Sequence, residues 1–323
     1  EWVTNSLGFS LRLNKIEYYK EVGTMHYILG QGQKHNIPHI HRAIETFIRE
    51  QELWLKLAGD EKGAVLDAVL AMAGQPAGQP RLVVEVGLYV GYSSTRMASK
   101  LRAWGGRVIS MEVDPYHAAI ARNTIEWAGL SDVIEVWVGH SENLIPRLRD
   151  RLPPKSIDIL FFDQQGTKMH LDLGRIVSFN MLSDSAIIVG DNVLRPGAPQ
   201  FMYWTCVAGP YETQAVSLKE YQQDVVEDWM SISFYQPWSP KAQLPMVIPE
   251  EVEQLAHDTD GIRWQSVEQK VTMEQWDSHS QRMRRRFAAV GIRPFEVYPF
   301  QDAQGHSKVQ LRPRSVEAYP PAG

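Results

Sequence analysis

The amino-acid sequence predicts an α/β fold in which helices cover both faces of a mostly parallel sheet. The chain has 323 residues, of which 44% are hydrophobic, so it can bury a sizeable core. From residue 81 onward, short apolar runs alternate with longer segments of helical character. The apolar runs are almost unbroken, which is typical of strands that are buried on both faces.

The first part of the chain, from about Leu11 to Ala73, is predicted to be helical. The segment IHRAIETFIREQELWLKLAG repeats apolar residues at spacings of three and four, as an amphipathic helix does. A second helix is predicted over GDEKGAVLDAVLAMAG, with Gly59 or Asp60 near its start and Gly74 near its end. The loop AGQPAGQP, rich in glycine and proline, follows.

Strands and helices then alternate along the chain. The predicted strands are RLVVEVG, RVISMEV, VIEVWVG, IDILFFD and SAIIVGDNV. The predicted helices between them are YSSTRMASKLRAW, YHAAIARNTIEWAGL, ENLIPRLRDRL and DLGRIVSFNML. This alternation indicates a sheet whose neighbouring strands are parallel.

The segment from Pro237 onward has a different composition, richer in proline, glutamine and arginine. It contains one good helix candidate, TMEQWDSHSQRMRRRFAAVG, and the strand-like runs FEVYPF and VQLRP. The arginines around Met283 are interpreted as a solvated helix face with Met283 and Phe287 turned inward, and contact with an anionic partner is the alternative. We therefore predict an N-terminal helical segment (1–42), a core (43–236) and an extension (237–323) that packs on the core, since it lacks the apolar content for a core of its own.

Charge and cysteine content exclude some classes of partner and favour one location. The net charge of −5 gives no overall basic field, so no nucleic-acid partner is expected. The single cysteine, Cys206, cannot form an internal disulfide, which favours a reducing compartment such as the cytoplasm. No apolar run approaches the roughly 20 residues that span a bilayer. The first residue is Glu1, which is compatible with an anchor or a further domain outside this chain, and the oligomeric state stays open.

The segment VVEVGLYVGYSS has the features of a cofactor-binding turn. Glu85 and Gly87 lie where an apolar strand ends, and Gly91 and Ser93 lead into a helix. Glycine permits a tight turn and the close approach of a ligand, and a helix N-terminus favours negative groups. In the next strand, Glu112 lies where an acidic residue of a doubly wound sheet typically accepts hydrogen bonds from ribose hydroxyls. Together these features favour a nucleoside-bearing cofactor.

Two further strands end in side chains with oxygen donors. Asp163 follows ILFF, and Asp191 with Asn192 follows AIIVG. These strand ends are expected at the edge of the sheet where such folds bind ligands. Two carboxylates and one carboxamide suit Mg²⁺, so the sequence predicts a magnesium site beside the cofactor.

Several segments together resemble the catechol O-methyltransferase family: VVEVGLYVGYSSTRMA, MEVDPYHAAIARNTIEWAGL, VGHSENLIPRL and GDNVLRPGAPQF. The resemblance runs from about Ala43 to Tyr235. It implies a seven-stranded Rossmann-like sheet and a methyltransferase core. It also implies S-adenosylmethionine and Mg²⁺ as cofactors, and O-methylation of a small catechol-like or vicinal-hydroxyl aromatic.

The resemblance implies roles for individual residues as well. The cofactor would be held at its methionine part by Glu85, Gly87, Tyr89 and Ser93, at its ribose by Glu112, and near its adenine by Ser141 and Glu142. The metal ligands would be Asp163, Asp191 and Asn192. The substrate ring would lie between Trp54 and Pro196, with Glu220 near its second hydroxyl.

The stretch FFDQQGTKMHLD departs from the family pattern. After the metal aspartate, the family typically has an aromatic pair and then a lysine that acts as general base. Here those positions are Gln164, Gln165 and Gly166, which predicts a more polar wall beside cofactor and substrate. Lys168 and His170 are the nearest candidates for the base. The alternative function is a cofactor-binding domain with weakened catalysis that serves as an interaction module.

Overall fold

A computed structural model describes residues 2–4, 10–12, 18–53, 55–73, 81–220, 223–243 and 245–315 of the chain. Its α-helices are α1 (Tyr19–Gln31), α2 (Ile37–Glu50), α3 (Asp60–Ala73), α4 (Tyr92–Leu101), α5 (Pro115–Ala128), α6 (Ser141–Arg151), α7 (Gly166–Ser178), α8 (Pro199–Tyr203), α9 (Glu250–Glu268) and α10 (Met273–Ala289). Its strands are β1 (Trp2–Thr4), β2 (Ser10–Arg12), β3 (Leu82–Val86), β4 (Arg107–Glu112), β5 (Ile134–Val138), β6 (Ile157–Phe162), β7 (Leu182–Gly190), β8 (Tyr211–Glu220), β9 (Gln223–Tyr235), β10 (Phe295–Val297), β11 (Phe300–Gln301) and β12 (Ser307–Lys308).

The central sheet has the strand order β10-β8-β9-β7-β6-β3-β4-β5. The five strands from β7 to β5 in this order pair in parallel. Strand β9 pairs antiparallel with β7 and β8, whereas β10 pairs in parallel with β8. The predicted α/β fold with a mostly parallel sheet is confirmed. The sheet has eight strands instead of seven, because Phe295–Val297 of the extension pairs with the otherwise open edge of β8.

The sheet is buried on both faces. Along β3, Val83 belongs to one hydrophobic cluster and Val84 to another, since successive side chains of a strand point to opposite faces. Helices α1 to α5 complete the first cluster. Helices α6 to α10 complete the second. None of the described helices is both long and apolar enough to cross a bilayer.

The extension shares this core. Leu255 of α9 and Met283 and Phe287 of α10 are buried in the second cluster. Arg282 and Arg285 on the same helix are exposed. The prediction that Met283 and Phe287 turn inward is therefore confirmed, whereas Arg284 is half-buried and forms ion pairs with Glu227 and Glu296.

Several predicted elements differ from the structure at their boundaries. Residues Ser10–Arg12 pair with Trp2–Thr4 as strands, so the chain near Leu11 is not helical. Helix α2 ends at Glu50 and does not reach the predicted end near Gly59. The run VQLRP is not a strand. Helix α9 was not predicted, because polar residues are spread around most of its surface and weaken the amphipathic pattern.

Candidate active site

The carboxyl ends of three neighbouring strands bring two aspartates together. In the register of β6 and β7, Phe162 lies opposite Gly190, so the next residues, Asp163 and Asp191, leave the sheet side by side. The Asp191 amide donates to the Phe162 carbonyl at 2.8 Å, and the Asp163 amide donates to the Val86 carbonyl at 2.8 Å. Because these hydrogen bonds continue the parallel ladder, both aspartates are fixed at one edge of the sheet.

A cleft of about 670 Å³ opens at this edge, a volume that suits a small-molecule ligand. The predicted site residues that line it are Gly87, Tyr89, Glu112, Ser141, Glu142, Asp163, Gln165 and Lys168. The structure therefore places the predicted cofactor turn, one predicted metal ligand and one candidate base around a single cavity.

Gly87 allows the cofactor turn to pack directly on Asp163. Its φ is 107°, in the left-handed region that favours glycine. A Cβ atom at this position would lie 2.0 Å from the carbonyl oxygen of Asp163. Only glycine therefore lets the two backbone segments approach this closely.

Glu112, at the end of β4, stabilises the turn from the other side. Its Oε2 accepts hydrogen bonds from the Tyr89 amide at 2.8 Å and the Leu88 amide at 3.2 Å. Its Oε1 accepts from the Asp114 amide at 2.9 Å. Tyr89 has a φ of 51°, a conformation that costs a residue with a side chain about 1–3 kcal/mol. The Glu112 carboxylate offsets this cost, and the Tyr89 hydroxyl donates to Glu21 of α1.

Glu85 and Ser93 lie beneath the cleft and do not line it. Glu85 is fully buried and accepts hydrogen bonds from the hydroxyls of Ser93, Ser94 and Ser110. Burial raises the pKa of Glu85 to about 7, although these three hydroxyls oppose the shift. The two residues therefore support the turn from within the fold.

A lysine that the sequence did not single out, Lys62, lies among the acidic side chains. Helix α3 carries it, and its side chain is 2% exposed. The Nζ atom lies 3.0 Å from Oδ1 of Asp191, 2.8 Å from Oε2 of Glu220 and 3.7 Å from Oδ2 of Asp228. Burial disfavours the ammonium form, but the three carboxylates outweigh it and raise the pKa of Lys62 well above its ordinary value. Lys62 is therefore a fixed cation.

The cluster around Lys62 holds more carboxyl groups than cations. Burial raises the pKa of Asp163 to about 7, with Lys62 opposing the shift and neighbouring carboxylates adding to it. The pKa values of Asp191 and Asp228 are raised too, again chiefly by burial. Several buried carboxylates that share one ammonium are costly unless a further cation neutralises them.

Asn192 completes the set of predicted metal ligands. Its Nδ2 donates to Oδ2 of Asp228 at 2.8 Å and to Oε2 of Glu220 at 3.3 Å. This arrangement leaves its carboxamide oxygen without a hydrogen bond in the part of the chain that the structure describes. No three His, Cys, Asp or Glu side chains of the described residues form a metal-binding group. The predicted set is of another kind, two carboxyl groups and a carboxamide, and its hard oxygens fit Mg²⁺.

Helix α7 separates the two candidate bases. Lys168 and His170 are two residues apart on the helix and are therefore rotated by about 200° around its axis, so their side chains point in different directions. Lys168 is exposed and lines the cleft. His170 is buried, does not line the cleft, and its Nδ1 has no hydrogen-bond partner among the described residues. The structure therefore does not bring His170 to the site, and Lys168 alone remains a candidate base.

Gly166, at the position where the resemblance leads one to expect a lysine, has no room for a side chain. A Cβ atom there would lie 2.0 Å from the carbonyl oxygen of Gly197 and 3.0 Å from the Cβ of Ala198. The extension contacts the same turn, residues 193–197, since His279 of α10 donates through Nε2 to the Pro196 carbonyl at 2.7 Å. The missing lysine thus has a structural reason: this turn packs against the start of α7.

The two glutamines form the polar wall that the sequence predicts. Gln164 donates through Nε2 to Oδ2 of Asp172 at 2.8 Å, and Gln165 donates through Nε2 to Oδ1 of Asp260 on α9 at 2.9 Å. Of the predicted substrate walls, Pro196 does not line the cleft, and Trp54 lies outside the described residues.

Comparison with known proteins places this geometry in a family. A methyltransferase-domain model matches residues 84–193. The chain is 33% identical to catechol O-methyltransferase of Mus musculus over 195 residues, which are 60% of this chain and 70% of the mouse protein. It is 33% identical to catechol O-methyltransferase B of Danio rerio over 171 residues, 53% of this chain and 62% of that protein.

A solved structure shows the same fold at lower identity. The O-methyltransferase from Bacillus cereus in complex with SAH matches with a TM-score of 0.51 and 20% identity, over 60% of this chain and 90% of that chain. The matched methyltransferase domain extends from β3 to just past Asp191, and so contains the cofactor turn and both strand-end aspartates. From the extent of these matches, the chain belongs to the catechol O-methyltransferase family and is an O-methyltransferase.

Proposed function

We propose that the chain transfers the methyl group of S-adenosylmethionine to a hydroxyl of a small catechol-like aromatic, with Mg²⁺ as the metal cofactor. The position of Asp163 is the observation that carries this proposal. Its backbone packs on Gly87 of the cofactor turn, and its side chain lies beside Asp191 in the acidic cluster. A methyl donor and a metal-assisted acceptor would therefore share one cleft, which favours transfer by proximity.

The cofactor would lie along the part of the cleft between the glycine turn and α6. Gly87 and Tyr89 would contact its methionine part, and Ser141 with Glu142 would lie near its adenine. A carboxylate has about four acceptor positions, of which backbone amides occupy three in Glu112. The remaining position is available to a ribose hydroxyl.

The metal would be held by the carboxylates of Asp163 and Asp191 and by the carboxamide oxygen of Asn192. When bound there, Mg²⁺ supplies Lewis-acid polarisation to a substrate hydroxyl. Lys62 holds Asp191 and Glu220 in place through its hydrogen bonds to both. Glu220 would accept a hydrogen bond from the second hydroxyl, and Lys168 would accept the proton at its Nζ.

Transfer of a labelled methyl group tests this proposal. We expect the protein to methylate one or more members of a panel of vicinal-hydroxyl aromatics, to lose activity in EDTA, and to regain it with Mg²⁺. Asp191→Asn should lose activity while keeping the wild-type melting temperature to within a few degrees. Folded protein that methylates no member of the panel in the presence of Mg²⁺ would reject the proposal and favour an interaction module instead.

A further inference from the structure

The C-terminal extension brings a cation to the cleft that the proposed reaction does not use. Arg263 of α9 lines the cleft, and its Nε lies 3.5 Å from Oδ1 of Asp260. That oxygen already accepts hydrogen bonds from Nε2 of Gln165 at 2.9 Å and the hydroxyl of Thr167 at 3.0 Å. The buried Nε of Arg263 makes no hydrogen bond to any described residue. Asp260 therefore neutralises the guanidinium only in part.

Two lysines line the same cleft. Lys56 and Lys168 are both exposed, and the described residues offer neither side chain an ion pair or a hydrogen bond. Lys56 lies close enough to Asp163 to act on that carboxylate electrostatically. Lys168 follows Gln165 by less than one helical turn. Arg263 and Lys56 thus lie at the same cleft as the segment from Asp163 to Lys168.

Three acidic residues of the cleft are engaged elsewhere. Glu112 accepts hydrogen bonds from backbone amides of the cofactor turn. Asp114 caps α5 and accepts from the hydroxyl of Tyr18. Asp172 forms an ion pair with Arg175 at 2.6 Å. None of these three carboxylates pairs with Arg263, although Asp163 partly compensates Lys56. The part of the cleft beside Arg263 therefore favours an anionic group.

We propose that the methyl acceptor carries a carboxylate, which Arg263 binds with Lys56 as a neighbouring cation. This inference rests on the proposed function and names the chemical class of its substrate. A guanidinium presents parallel N–H groups that match the two oxygens of a carboxylate. The polar side chains of Gln164 and Gln165 suit such a substituent better than an apolar wall would. Since α9 supplies Arg263, the extension is a specificity element of the active site.

Equilibrium binding tests this assignment independently of catalysis. The probes are a catechol that carries an acetic acid side chain and the primary amide of the same compound, titrated into protein saturated with S-adenosylhomocysteine and Mg²⁺. We expect the acid to bind more tightly than the amide, and Arg263→Gln to reduce that preference by about 10- to 100-fold, since hydrogen bonds between charged groups are the strong ones. Arg263→Lys should retain part of the preference for the acid over the amide.

A matched control is Arg285→Gln. Arg285 is an exposed arginine of α10 that does not line the cleft, so this variant should keep the wild-type preference. An unchanged preference in Arg263→Gln would overturn the inference. So would a weaker affinity for S-adenosylhomocysteine with no change in the preference, because Arg263 would then bind the carboxylate of the cofactor. Failure of the proposed function is a separate result, since it appears in the methyl-transfer assay whether or not the acid binds.

Discussion

The ammonium of Lys62 lies 2.8 Å from the carboxylate of Glu220, although the two residues are 158 positions apart in the sequence. The same ammonium contacts Asp191, at the end of β7. Helix α3 is thereby joined to the end of β8 and to the edge of the sheet where Asp191 lies. This contact couples the stability of the fold to the geometry of the site.

Replacing Lys62 by methionine should destabilise the protein. The buried carboxylates of Asp191, Glu220 and Asp228 would lose their shared cation, and breaking a buried pair of this kind typically costs about 3–5 kcal/mol. The free energy of unfolding, measured by urea denaturation at pH 7.5 without divalent metal, should fall by that order. Lys270→Met, at an exposed position, is the control. Equal stability of the two variants would show that Lys62 is not needed to balance the cluster.

Two glycines of α7 should respond in opposite ways to alanine. Gly166→Ala forces a Cβ atom against the carbonyl oxygen of Gly197, and overpacking of this kind costs about 1–3 kcal/mol. Gly174→Ala meets only the end of the Met246 side chain at 3.6 Å, so the higher helix propensity of alanine should stabilise it by about 0.5–1 kcal/mol. Chemical denaturation measures both changes. If Gly166→Ala is as stable as wild type, packing does not explain the absence of lysine at this position.

Glu85 should make the stability of the protein depend on pH. Its folded pKa is about 7, above the ordinary value, so the folded state binds more protons than the unfolded state between about pH 4.5 and 7. Its contribution to stability is therefore present at low pH and is lost as the pH rises through that window. Glu85→Gln removes this titration. From pH 5 to pH 8, the difference in free energy of unfolding between Glu85→Gln and the wild type should change by about 2–3 kcal/mol in favour of the variant. Parallel pH profiles for the two proteins would contradict the assignment.

Glu112 should be required for cofactor affinity. Glu112→Gln removes the charged acceptor that holds the amides of Leu88 and Tyr89, and each such hydrogen bond contributes about 1.5–3 kcal/mol. We expect the dissociation constant for S-adenosylhomocysteine to rise about 10- to 100-fold by calorimetry. Glu126→Gln, on the exposed part of α5, should have no effect. If folded Glu112→Gln binds S-adenosylhomocysteine with wild-type affinity, Glu112 stabilises the loop and does not contribute to cofactor binding.

The sequence predicted the part of the site that follows from strand order. Asp163 and Asp191 each follow an apolar strand, and parallel neighbours end at the same edge, so their proximity could be inferred without coordinates. Lys62 could not be found this way. In the sequence of α3, Lys62 has no feature that distinguishes it from a solvent-exposed helix residue. It is buried only because α3 packs against strands that lie far along the chain. Asp228 lies within β9, where alternation alone does not distinguish a buried acidic residue from an exposed one.

The prediction of His170 as a candidate base failed because of a helix boundary. The helix was expected to begin near Asp172, which would have left Lys168 and His170 in a loop that could turn either side chain inward. Helix α7 instead begins at Gly166 and fixes the two side chains in different directions. The contacts of Arg263 could not be predicted from the sequence either. Helix α9 has no strong periodic pattern, and its position near Gln165 depends on tertiary packing.

The most direct test of the central claim is calorimetric titration of Mg²⁺ into protein saturated with S-adenosylhomocysteine. We propose that Asp163, Asp191 and Asn192 hold a divalent cation at the cofactor cleft. We predict one Mg²⁺ per chain for the wild type, at least a tenfold weaker affinity for Asp191→Asn, and no change for Asp132→Asn, an exposed control on another loop. Equal Mg²⁺ binding by wild type and Asp191→Asn, or none by either protein while S-adenosylhomocysteine is bound, would contradict the claim.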